Sequence, residues 1–193
     1  DGPWAREVMW SAEPAGLEHV GVLAGPEGML ADSFLIGVED RGPYRLRYEL
    51  RAEAGFLTRR VQLEQLAPDY RVVVIEADGA GTWTVDGREA PELDGCLDVD
   101  LGFSPLTNTL PVRRLGLLEG EGAPAELDAA WVLPGALDRP RRLRQRYTPL
   151  ASRLVRYESL REDGATSFQA DLPLDEAGLV LDYPGLWRRV WPA

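Results

Sequence analysis

Residues 44–52 read YRLRYELRA, and their alternation sets the fold class. Tyr44, Leu46, Tyr48 and Leu50 fall on one side, and Arg45, Arg47, Glu49 and Arg51 on the other. A two-residue period belongs to a strand with one face in a core and one in water. The preceding DRGP at 40–43 is a turn by composition. Outward from this stretch the same style continues in both directions. Strand-like runs cover 8–11, 17–23, 31–39, 56–66, 70–77, 82–85, 126–133, 143–150, 154–160, 166–172, 179–183 and 186–191. Asp-Gly pairs at 78–79, 86–87 and 163–164 are hairpin signals. Val72 to Ile75 is a β-branched run suited to burial on both faces. Helix is expected only as short pieces at 91–95, around 138–143 or near Asp175. Strands about ten residues apart predict an all-β domain spanning residues 1–193, an antiparallel barrel or a sandwich.

Composition narrows the function classes. The chain has 193 residues, 45% hydrophobic and 27% charged, with a net charge of −11. All 21 basic residues are arginine. Sequence-independent nucleic-acid binding needs clustered positive charge, which an acidic chain lacks, so no nucleic-acid partner is expected. The one basic cluster, 139–146, reads as a solvated strand or loop. Cys96 is the sole cysteine, so no intrachain disulfide can form. With one cysteine and one histidine, no metal site or cofactor is expected. No run approaches the roughly 20 apolar residues of a membrane helix. The opening DGPWAREVMW has no signal-peptide pattern, and with the cysteine usage this suggests a cytoplasmic protein.

Chemistry concentrates in residues 95–115, GCLDVDLGFSPLTNTLPVRRL. Leu97, Val99 and Leu101 alternate with Asp98 and Asp100, which places both carboxylates on one face of a strand, about 7 Å apart. Asn108 follows a Gly-Phe-Ser-Pro turn, and Arg113 and Arg114 close a second apolar run, expected on a neighbouring strand where they could pair with the aspartates. The spacing suits a glycosidase-type acid/base pair, an oxygen-ligand cation site or a scaffold of salt bridges. The turn at 102–106 is no nucleophile elbow, because its last position is leucine and no strand-to-helix context surrounds it. His19 sits among apolar neighbours and reads as a core histidine. Trp83, Tyr147, Tyr157 and Tyr183 each fit a core while offering a polar tip to a ligand.

These stretches together resemble a bacterial glycolipid-binding family, formerly of unknown function. The resemblance runs through GLEHV at 16–20, ADS at 31–33, residues 44–50, DGAGTW at 78–83, residues 93–115, QRYT at 145–148, Tyr157-Glu158 and GLVLDYPGL at 178–186. It implies a large, curled, incompletely closed antiparallel β-barrel with few short helices, similar to the periplasmic carriers of lipoproteins. On that basis the expected function is non-enzymatic binding of a glycolipid or other amphipathic molecule. An apolar cavity would take acyl chains, and Asp98, Asp100 and Asn108 would meet sugar hydroxyls, with Arg113 and Arg114 pairing with them or with an anionic group. Glu18, His19, Trp83, Tyr147, Glu158, Asp182 and Tyr183 are further candidates. Two alternatives stay open: an enzyme of carbohydrate or glycolipid metabolism pairing Asp98 or Asp100 with Glu18, Glu158 or Asp182, and a structural or protein-interaction domain.

Overall fold

A computed structural model describes residues 2–40 and 42–192. Ten strands form one sheet. Six long ones, β1 (Trp4–Ala12), β2 (Gly16–Gly25), β3 (Gly28–Glu39), β4 (Gly42–Glu53), β5 (Leu57–Ala67) and β6 (Arg71–Ala77), follow each other as an antiparallel meander. The short β7 (Trp83–Val85) and β8 (Arg88–Glu89) extend one end. The other end is built by the C-terminal β14 (Asp182–Tyr183) and β15 (Trp187–Trp191), with β15 returning to pair with β1. A second sheet holds β9 (Asp98–Leu101), β10 (Ala125–Val132), β11 (Arg141–Ala151), β12 (Leu154–Leu160) and β13 (Thr166–Pro173), in the order 13-12-11-10-9.

The barrel expectation is overturned. Neither sheet closes: β14 and β8 are the two ends of the large sheet, and β13 and β9 those of the small one. Nor is the arrangement a single antiparallel sheet, because β9 runs parallel to β10. The physical reason is how the large sheet hides its apolar face. Tyr48, Leu63 and Val73 form one buried row across β4, β5 and β6. Such a row can be covered by curling the sheet on itself or by laying a second layer over it, and alternation along one strand is the same in both cases. Here the cover is the small sheet and the segment that enters it. Trp10, Trp83, Tyr48 and Phe103 are among the largest fully buried side chains, and they belong to one continuous core.

The parallel pairing of β9 with β10 needs a crossover, and residues 102–124 supply it. The short apolar run ending in Arg113 and Arg114, expected on a strand, is instead a helix, α1 (Thr109–Arg114), entered from a 3₁₀ turn (Pro105–Asn108). Ser104 starts the turn: its Oγ accepts from the Leu106 amide at 3.2 Å, and proline follows at the first helical position. Thr109, Leu110, Pro111 and Val112 are buried, which is why a short apolar run gave no periodicity to tell helix from strand. A 3₁₀ turn at Pro91–Leu93 lies within the expected 91–95. The helix expected around 138–143 is absent, since β11 begins at Arg141 and the nearby 3₁₀ turn is Pro134–Ala136. Near Asp175 there is a turn instead, in which Oδ1 of Asp175 accepts from the amides of Ala177 and Leu179 at 2.9 Å each. Among the described residues no helix is long and apolar enough to cross a membrane.

Candidate functional site

Pairing register places the polar motif. In the small sheet Tyr147 stands opposite Tyr157, and Gln145 opposite Ser159, so these residues share one face. Their neighbours Arg142, Arg144 and Arg146 point the other way, where Asp128 and Glu126 meet them at 2.7–3.8 Å. The basic run is thus a strand whose charges are cancelled along a solvated face. The face carrying Gln145 and Tyr147 instead meets β9 and the crossover.

Two recessed polar sets meet that face, one around Asp98 and one around Asp100. Arg114 makes a two-point contact with Asp98, donating from Nε to Oδ1 at 3.3 Å and from a second nitrogen to Oδ2. The Asp98 side chain is 2% exposed and that of Arg114 is 15% exposed. Burial raises the Asp98 carboxyl above its ordinary range, and Arg114 opposes the shift. Asp100 accepts from Gln145 Nε2 at 2.6 Å and from Thr107 Oγ1 at 3.4 Å. Burial pushes it up to about 6, against those two hydrogen bonds. Gln145 Nε2 also donates to the Tyr157 hydroxyl at 3.2 Å. From Tyr157 the network becomes aromatic. Its ring lies edge-on to Tyr147 at 5.4 Å and to Tyr183 at 6.1 Å, and Phe168 stacks on Tyr183 at 6.1 Å with an interplanar angle of 29°. Phe168 is 38% exposed, so the stack reaches the surface. Tyr147 donates to Asn108 Oδ1 at 2.9 Å, and Asn108 Nδ2 donates to the Pro105 carbonyl at 3.3 Å.

The same crossover ties the two sheets together. Glu18 on β2 is fully buried, and its Oε1 accepts from Ser33 Oγ (2.8 Å), Tyr48 OH (2.7 Å) and Ser104 Oγ (2.8 Å). Its Oε2 is buried with no partner. Burial pushes the carboxyl up to about 7 despite the three hydroxyl donors. Thr109 Oγ1 donates to the Gly178 carbonyl at 3.0 Å, and the Arg113 guanidinium lies 5.3 Å over the Phe56 ring. Density of polar chemistry in residues 95–115 therefore has a structural cause: the segment bonds to both layers.

The structure brings Asp98, Asp100, Asn108, Arg114, Tyr147 and Tyr183 into one neighbourhood. It leaves the other candidates elsewhere. Arg113 and Arg114 are on α1, not on a neighbouring strand. His19 is not a core residue: its side chain is 53% exposed on the outer face of the large sheet, 3.4 Å from Glu7. Trp83 is buried, donating to the Cys96 carbonyl at 2.8 Å. Glu158 faces away from Tyr157, held by Thr166 at 2.7 Å and Arg146 at 3.5 Å. Asp182 sits on an edge strand, 3.6 Å from Arg188. Among the described residues Glu18 bonds to Ser33, Tyr48 and Ser104, Glu158 to Thr166 and Arg146, and Asp182 to Arg188, so none of the three pairs with Asp98 or Asp100. Burial pushes the Cys96 thiol up to about 11, so it is a poor nucleophile. Sequence reasoning passed over Gln145 and Phe168. A signal existed for Gln145: it is an uncharged polar residue set between Arg144 and Arg146, in phase with Leu143 and Tyr147.

Two packed sheets with a polar and aromatic network between strand, crossover and ring stack define a β protein of the ligand-binding or scaffolding kind, with no membrane-spanning helix among its described residues. The chain belongs to the family described as "Putative glycolipid-binding", whose model matches residues 7–189. It is similar to a DUF1089 family protein from Pseudomonas aeruginosa solved by crystallography. The two are 36% identical over 98% of this chain and 93% of that one, with a TM-score of 0.73. No relative is found among curated proteins.

Proposed function

We propose that the protein binds an amphipathic glycolipid without transforming it, and that the Asp100, Gln145, Tyr157, Phe168 and Tyr183 network receives the sugar head group. One observation carries this: a recessed carboxylate and amide lead directly into a ring stack that reaches solvent at Phe168. Carboxylate and amide groups exchange hydrogen bonds with sugar hydroxyls, and an aromatic face takes the C–H face of a sugar ring. The family description points the same way. Asp98, Arg114 and Glu18 have a separate part, holding the layers in register so that the recess keeps its shape.

A synthetic maltoside carrying one alkyl chain, used below its critical micelle concentration, is the probe. Calorimetry is expected to show saturable binding. Phe168→Ala should weaken it about five- to tenfold through loss of stacking. Asp100→Asn should weaken it by a similar factor by changing an acceptor into a donor. Native mass spectrometry of gently purified protein should show a co-purifying glycolipid. A clean apo mass, together with equal affinities in both variants, would contradict the proposal.

A further inference from the structure

The outer face of the large sheet carries two neighbouring depressions, of about 760 and 770 Å³, that share Ala5, Leu23, Leu30 and Arg51 in their walls. Together they form one trough across β1 to β5. The strand register explains it. One row of outward side chains runs Ala5, Leu23, Leu30, Arg51, Arg60. The next runs Glu7, Gly21, Asp32, Glu49, Gln62. Gly21 leaves that second row hollow: no atom lies within 4 Å of where its Cβ would stand. Leu23 and Leu30 are 59% and 51% exposed, and Pro26 continues the apolar wall beyond them.

Where the two depressions meet, one guanidinium stands apart from the ion pairs around it. Asp32 and Glu49 are both held by Arg47, at 3.1 and 2.9 Å. Arg60 is held by Glu76. Arg51 has no ion pair or side-chain hydrogen bond among the described residues, and it stands directly opposite Arg60. Like charges directly opposite each other destabilise an antiparallel pair, and an anion seated between two guanidinium groups removes that repulsion.

We infer that the trough is a second binding site, for a single anionic acyl lipid. The carboxylate or phosphate head pairs with Arg51 beside Arg60, and the chain lies over Leu30 and Leu23 toward Ala5 and Pro26. Guanidinium is suited to two-point contact with such a head. Three strand spacings give the chain about 14 Å of apolar floor. The inference stands apart from the head-group site, which is built from the small sheet together with Tyr183 of β14 and shares none of these residues.

Oleate below its critical micelle concentration is the probe, titrated into the whole chain by calorimetry. Saturable binding of one molecule is expected. Arg51→Glu and Leu30→Asn change exposed side chains, so melting temperature should not fall appreciably in either, while affinity falls about tenfold or more in each. Asp100→Asn should bind oleate like the parent. The inference is overturned if monomeric oleate shows no saturable binding, or if neither trough variant weakens it. It is equally overturned if Asp100→Asn weakens it as much, if inorganic phosphate alone binds as tightly, or if only vesicles of anionic lipid are bound.

Discussion

Arg114→Ala is expected to lower the unfolding free energy at neutral pH by about 3–5 kcal/mol. Asp98 is nearly inaccessible, and Arg114 is the group that offsets the burial of its charge. Without the guanidinium, burial acts alone and the Asp98 carboxyl moves further up from its already raised position. A carboxyl raised in the folded state binds more protons there than in the unfolded chain, so stability falls as pH increases through the shifted range. The deficit of the variant should therefore be larger at pH 8 than at pH 5. Urea denaturation at the two pH values measures it. A deficit under about 1 kcal/mol at both would mean that the pair contributes no more than an exposed salt bridge does. Changing both residues, as Asp98→Leu with Arg114→Met, should recover much of the loss, because the buried charge goes with its partner.

Glu18→Gln is the second large effect, and its sign depends on pH. The Glu18 carboxyl lies at about 7 in the folded protein, against an ordinary value of 4.5. Between those two values the folded state holds a proton that the unfolded state has released. The stabilising contribution is fully present below about pH 4.5 and is lost as pH rises through about 7, a fall of about 3 kcal/mol. Glutamine keeps an oxygen for the hydroxyls of Ser33, Tyr48 and Ser104 and never ionises. At pH 5 the variant should match the parent to within about 1 kcal/mol, and at pH 8 it should be the more stable by about 3 kcal/mol. Parallel pH profiles for the two proteins, read by urea midpoints from pH 5 to 8, would show that Glu18 does not titrate in this window. Asp100 slopes the same way through a lower range, since it lies at about 6. Glu18→Gln leaves that slope in place, which separates the two groups.

Both residues were visible in the sequence, but their situations were not equally legible. The alternation of β2 put Glu18 and His19 on opposite faces. What it could not say is which face was the core. The apolar side chains Leu17 and Leu23 share the His19 face, and they drew that histidine inward. In the structure those leucines are exposed and line the outer surface, while the carboxylate is enclosed with Trp10 opposite it. Hydrophobicity alone could not settle the choice, because Ser33, Tyr48 and Ser104 make the buried acid tolerable and lie 15, 30 and 86 positions away in the chain. The Asp98 and Asp100 pair was recognised as one face of a strand, and Asp98 does pair with an arginine of the same motif. The partner comes from a helix, however, and the second aspartate is bonded by Gln145 from a distant strand.

What the sequence determined by itself is the strand inventory and the family. Period-2 patterning and Asp-Gly turns are local properties, carried by neighbouring residues, and the ordered motifs from residue 16 to 186 point to the family whose model matches residues 7–189. Only the tertiary structure decided that two open sheets share one core in place of a curled barrel, that residues 105–114 are helical, and that the ring stack of Phe168 and Tyr183 ends the polar network. A strand's pattern says that one of its faces is covered, and the covering layer is chosen by contacts between residues far apart in the chain.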